Sequence, residues 1–114
     1  MQTPSERVMA AAARDIAATD AAGRVLTIRR PDALDRLRLF KALGASLSLN
    51  TPYLGMALLA FSVTAIDGVP VPPPVTEDQL ESLVQRLGDD GIAAAADALE
   101  AADAAEPGGA DPGN

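Results

Sequence analysis

Three observations predict a mainly α, small single-domain fold opened by a short N-terminal β-hairpin. Apolar residues recur at helical spacing behind good N-cap residues at Asp32, at Asn50 or Thr51, and at Thr76. One cluster of strand-forming residues, Val25, Leu26, Thr27 and Ile28, follows the turn-like Asp20-Ala21-Ala22-Gly23. The chain has 114 residues, 48% of them hydrophobic, but 24 are alanine, so the large apolar side chains suffice for one small core.

The elements follow in order. Residues 1–14 form a flexible N-terminal segment in which Thr3 and Pro4 start a short, fraying helix that buries little. The folded domain covers residues 15–105 and begins with the hairpin, whose first arm is 15–19. Pro31 and Asp32 open a helix with Asp32 as N-cap, its apolar face centred on Leu37 and Phe40, and Gly44 stops it. Residues 45–50 connect to a second helix with Pro52 in its first turn and a body over 53–65. Residues 66–70 read as a turn and 71–74, with three prolines, as extended chain that cannot be an interior strand. Thr76 and Gln79 have capping-box spacing ahead of the stripe Leu80, Leu83, Val84 and Leu87, which Gly88 ends. Asp89, Asp90 and Gly91 separate that helix from a last, alanine-rich one reaching residue 105, and 106–114 is a disordered tail. The expected core is Leu37, Phe40, Leu54, Leu58, Phe61, Leu83 and Leu87.

Composition narrows the chemistry. With no Cys and no His, thiol nucleophiles, disulfides, imidazole acid/base work and the usual zinc sets are excluded. A net charge of -7 argues against general nucleic-acid binding, because a polyphosphate backbone repels such a chain. The charge is split, since residues 1–43 hold eight of the nine basic groups and residues 44–114 hold eleven of the 16 acids. That split fits a basic docking face or a solvated helix surface. Residues 42–66 carry no charge, but Gly44, Ser46, Ser48, Asn50, Thr51 and Pro52 interrupt them. The dense apolar run, 54–66, is shorter than the ~20 residues a membrane span needs, so a buried helix is the expectation. No signal-peptide order is present at the start, and a cytoplasmic location is expected.

No catalytic, cofactor-binding or metal-binding residue is expected. Asp89 and Asp90 beside Gly91 resemble a metal loop only superficially, because such loops spread ligands over alternating positions. Lys41 with Ser46 or Ser48 lacks any feature that would bury the lysine or supply an oxyanion site. What remains is surface. The helix over 53–65 is apolar on much of its circumference, so it is either the central core element or a face awaiting a partner. Its candidate contact residues are Tyr53, Met56, Leu59 and Val63, with Leu80 and Val84 on the later stripe. Arg29, Arg30, Arg36, Arg38 and Lys41 form the basic cluster beside them.

A composite pattern runs through these elements. It comprises Thr19-Asp20 and Gly23-Arg24 ahead of Leu26-Thr27-Ile28-Arg29, then the run from Ala33 through Leu37-Arg38-Leu39-Phe40-Lys41 to Ala42. It continues with Tyr53-Leu54-Gly55-Met56-Ala57, Val63-Thr64-Ala65-Ile66-Asp67-Gly68-Val69-Pro70 and Arg86-Leu87-Gly88-Asp89. Over residues 18–99 this order resembles the small tail assembly chaperones of tailed bacteriophages and prophages. The resemblance implies a non-enzymatic protein that binds the long, helical tape measure protein before the tail tube polymerises, and that is absent from the finished virion. Weak homo-oligomerisation is compatible with it. The alternative of another class is a structural tail component or self-associating adaptor.

Overall fold

In the computed structural model, which describes residues 15–105, the chain runs β1 (Ile16–Thr19), β2 (Val25–Ile28), α1 (Ala33–Ser48), α2 (Thr51–Phe61), β3 (Val63–Ile66), β4 (Val69–Pro70) and α3 (Glu77–Ala105). The expected N-terminal helix and C-terminal tail lie outside the described residues. The described residues are 62% helical, and their four strands form one antiparallel sheet of order β1-β2-β3-β4. The fold is therefore mixed α/β, and the hairpin is one half of a larger sheet.

The second half of the sheet comes from residues expected to be helix and turn. α2 stops at Phe61, where the buried Ser62 turns its hydroxyl back onto the Leu59 carbonyl at 2.6 Å. Such a bond competes with helix propagation. The Ser62 carbonyl accepts the Arg29 N–H at 2.8 Å, so the chain leaves the helix already registered on the end of β2. Val63 and Ile66 are both buried although three residues apart, a spacing that a regular strand cannot place on one face. A register shift at Thr27 and Ile28 solves this, letting Val63 pair with Ile28 and Ile66 with Leu26. Asp67 (φ 50°) and Gly68 (φ 80°) then close the β3–β4 hairpin with two consecutive positive φ angles, as a type I′ turn requires. The Asp67 strain is offset by two bonds to Val25: its N–H donates to the Val25 carbonyl at 2.7 Å, and its carboxylate accepts the Val25 N–H at 2.8 Å.

α1 begins as the sequence indicates, with Asp32 and Asp35 in a reciprocal capping box. Its orientation is different. Leu39 and Leu43 are buried, joining Ala57 and Ala60 of α2 in the core, whereas Leu37 and Phe40 point outward. Leucines and Phe40 lie almost all round this helix, so periodicity alone could not choose the inward arc. Gly44 (φ 81°) bends α1 without ending it, and residues expected as a connector add a further helical turn through Ser48. α2 is capped by Asn50, which accepts the Tyr53 N–H at 3.2 Å, and it packs through small Ala57 and Ala60. Leu54, Leu58 and Phe61 are half-buried at the core's border.

α3 starts with a variant of the predicted box: the Gln79 N–H donates to Thr76 Oγ1, while the Gln79 side chain accepts the Val75 N–H. Gly88 (φ 66°) breaks the helix, which resumes at once, so Asp89, Asp90 and Gly91 are helical and not a separator. Leu80, Leu83 and Leu87 line the core beside Leu26 and Ile28 of the sheet, all five nearly or wholly buried. Among the described residues, no helix is long and apolar enough to cross a membrane.

The break at Gly88 is where hairpin and helix meet. It deprives the carbonyls of the preceding turn of the amides a continuous helix would supply. Arg24 Nη1 donates instead to the Arg86 carbonyl at 2.9 Å, and Nη2 to the Leu87 carbonyl at 2.6 Å. The same guanidinium donates to Asp20, with Nε and Nη2 each 2.7 Å from Oδ2, while Asp20 Oδ1 accepts the Ala22 and Arg24 backbone amides. A side chain at Gly91 would intrude here, since an added Cβ would lie 2.9 Å from Leu87 Cβ and 3.3 Å from Arg24 Nη2. Burial pushes the Asp20 carboxyl up, but the bonds and charge from Arg24 and the Ala22 amide outweigh it and hold the group below the ordinary aspartate value.

Two outcomes follow for stability. Leu39→Ala should cost about 2–5 kcal/mol in urea unfolding, as for a fully buried leucine, and Leu37→Ala should stay within about 0.5 kcal/mol. Because the native Asp20 holds its proton less tightly than the unfolded chain, its contribution is present above the unfolded-state pKa and is lost as pH falls through the lower native value. Asp20→Asn should therefore destabilise the protein at neutral pH and flatten the acid limb of its stability profile.

Candidate functional site

The outward arc of α1 carries Leu34, Leu37 and Phe40, which expose 50%, 64% and 37% of their surface. Spaced three residues apart, they share one side of the helix, opposite the i,i+4 pair Leu39 and Leu43 that anchors it. This is an exposed apolar strip on a single rigid element. Arg38 and Lys41 border it and lead into a cleft of about 600 Å³, walled by Phe61 at the end of α2, the extended segment from Pro73 to Thr76, and Glu77 of α3. The prolines matter because their fixed φ and missing amides keep this wall from folding onto α1 or joining the sheet. Asp35 also lines the cleft, with its carboxylate committed to the Asp32 amide.

The basic cluster divides into committed and uncommitted members. Arg29 pairs with Asp15 at 3.4 Å, Arg30 with Asp103, and Arg36 donates to the Pro31 carbonyl at 3.0 Å. Arg38 and Lys41 have no ion-pair or hydrogen-bond partner among the described residues, so the two cations beside the apolar strip are the ones available to a ligand.

The contact residues expected on α2 and α3 fare differently. Val63 and Leu80 are 2% and 1% exposed and belong to the core, so neither can meet a partner without unfolding. Val63 is expected on a helix face but sits in β3 opposite Ile28, and Leu80, on the apolar stripe of α3, is part of the buried core. Leu59, Val84 and Tyr53 are half-buried, and Met56 alone of the α2 set is well exposed. Leu37 and Phe40 are exposed although large apolar residues on a capped helix read as core, and Leu34, at the edge of the expected apolar face, is exposed with them. The signal that distinguishes them is the surplus: α1 carries six large apolar side chains, of which only Leu39 and Leu43 are buried.

Among the described residues no group of three or more carboxylates could hold a metal ion, and Ser48 donates to the Phe40 carbonyl instead of approaching Lys41. Comparison with protein-family models, curated proteins and solved structures finds no match for this chain.

Tyr53 offers a probe of the α2–α3 interface. Its hydroxyl donates to Glu81 at 3.1 Å, and burial first, then this bond and the Glu81, Glu77 and Asp78 charges, push its pKa above the ordinary tyrosine value. The chain has one Tyr and no Trp, so ultraviolet absorbance follows this group alone. Glu81→Gln should lower the titration midpoint towards the ordinary value while leaving the part due to burial; an unchanged midpoint would show that the contact is not kept in solution.

Proposed function

We propose that this protein is a tail assembly chaperone of a tailed phage or prophage, and that it covers an apolar helical stretch of the tape measure protein before the tail tube polymerises around it. The observation that carries the reading is the strip Leu34, Leu37 and Phe40, exposed on a helix whose opposite side is fully engaged. An unassembled tape measure presents apolar helical stripes to water, and an apolar strip of i, i+3, i+6 spacing is the complement of one such stripe. Burial of these side chains supplies affinity. The uncommitted Arg38 and Lys41 steer acidic segments towards it and mainly set the association rate. The surface is thus α1, supported at its rim by Phe61 and the proline wall, and not the face of α2 that the sequence suggested. Binding of this kind requires no cofactor, acts in the host cytoplasm, and leaves nothing of the chaperone in the mature virion.

Co-expression with the tape measure protein of the same tail gene cluster tests the reading. This chain should keep that protein soluble and co-purify with it, and Leu37→Asp should reduce recovery at least about tenfold without changing the unfolding midpoint. Charge reversal at Arg38 and Lys41 should slow association and weaken its salt dependence. If the tape measure protein is equally soluble alone and the two do not co-purify at low salt, the chaperone reading fails. A stable symmetric oligomer formed through the same strip would then favour the self-associating structural component.

A further inference from the structure

The two edges of the sheet are not alike. β4 is two residues long, ends in Pro70, and runs into Pro72, Pro73 and Pro74, which have no amide to offer a further strand. β1, at the other edge, has no proline, charge or bulge within Ile16–Thr19. Its ladder to β2 alternates. The Val25 N–H and carbonyl are spent on Asp67 on the β3 side, so Thr19 opposite Val25, and Ala17 opposite Thr27, turn their N–H and carbonyl groups away from β2. Among the described residues β1 pairs with β2 alone. Beside this open edge lies a groove of about 450 Å³ between β1 and the second half of α3, where Ala94, Ala98 and Ala102 leave room for larger side chains. The one charged residue in its lining is Asp97, which has no ion-pair or hydrogen-bond partner among the described residues.

We infer that β1 is a strand-addition site that takes an extended, basic segment of another protein, with large apolar side chains in the alanine groove and a Lys or Arg against Asp97. Ala17 and Thr19 offer two donors and two acceptors to such a strand, and main-chain pairing of this kind gives affinity while the groove selects side chains. A second copy of this chain is the poorer occupant, because each copy would bring its own Asp97 and acidic helix to the junction. The site is independent of the α1 strip and does not require the chaperone reading.

The test uses the full chain and a labelled hexapeptide, Thr-Val-Thr-Val-Thr-Lys, in which both Val and the Lys fall on one face of an extended strand. Fluorescence anisotropy should show binding that weakens with salt, and the peptide with Glu in place of Lys should bind at least about tenfold more weakly. Ala17→Pro removes only an outward amide and leaves the β1–β2 ladder intact, so it should abolish binding without lowering the unfolding midpoint. Asp97→Lys should reverse the preference between the two peptides. Amide hydrogen exchange supplies a readout free of any variant: Ala17 and Thr19 should exchange fast in the free protein at low concentration and slow when peptide is bound. Equal binding of the two peptides, or unchanged binding by Ala17→Pro, would overturn the proposal. So would protection of both amides in the free protein, because the edge would then already be covered by the chain itself.

Discussion

The Arg24 guanidinium joins two parts of the chain that would otherwise be independent, the first hairpin and α3. It closes the β1–β2 turn through Asp20, and its other donors end the first segment of α3 at the Arg86 and Leu87 carbonyls. A cation at a helix C-terminus is favoured by the helix dipole, and a forked donor can meet two carbonyls and a carboxylate at once. The Asp20 side chain is wholly removed from solvent, so its charge is tolerable only while Arg24 and two backbone amides hold it. Gly88 and Gly91 are part of the same arrangement. One supplies the left-handed residue that frees the carbonyls, and the other leaves the space through which the guanidinium reaches them. By fixing the angle between hairpin and α3, this contact decides where Leu26 and Ile28 meet Leu80, Leu83 and Leu87.

Once that core is set, α1 has one way to pack. Leu39 and Leu43 go inward against the alanines of α2, and Leu34, Leu37 and Phe40 are left exposed. Keeping Leu34, Leu37 and Phe40 outside forgoes part of the ~1.5–3 kcal/mol that full burial of each such side chain returns. That unspent free energy is available to an association, which is what ties an otherwise unremarkable helix to a binding role. The neighbouring cations are available for the same reason: Arg29 is held by Asp15, Arg30 by Asp103 of α3 and Arg36 by the Pro31 carbonyl, whereas Arg38 and Lys41 have no such partner among the described residues.

The sheet imposes its own constraint on the middle of the chain. The stretch 53–65 reads as one apolar helix, yet β2 needs a partner on its second side, and Val25, Thr27 and Arg29 would leave backbone groups unpaired without one. The pairings of Arg29 with Ser62, Thr27 with Ala65 and Val25 with Asp67 satisfy that requirement, and they outweigh the weak helix preference of Ser62, Val63 and Thr64.

The sequence by itself determined what local chemistry controls. Asp32, Asn50 and Thr76 start helices because their side chains satisfy amides a few residues away; Gly23 and the residues before it turn the first hairpin; the three consecutive prolines stay extended. Glycine was legible as a break but not as a stop, since Gly44 and Gly88 bend helices that then continue. Tertiary structure decided everything that depends on partners distant in sequence. It chose which arc of α1 faces in, turned residues 63–66 and 69–70 into strands, and buried Val63 and Leu80 while exposing Leu37 and Phe40. Periodicity shows that a helix is apolar on several sides. Only the shape and donor demands of the surrounding elements determine which of those sides is covered and which is left to meet another molecule.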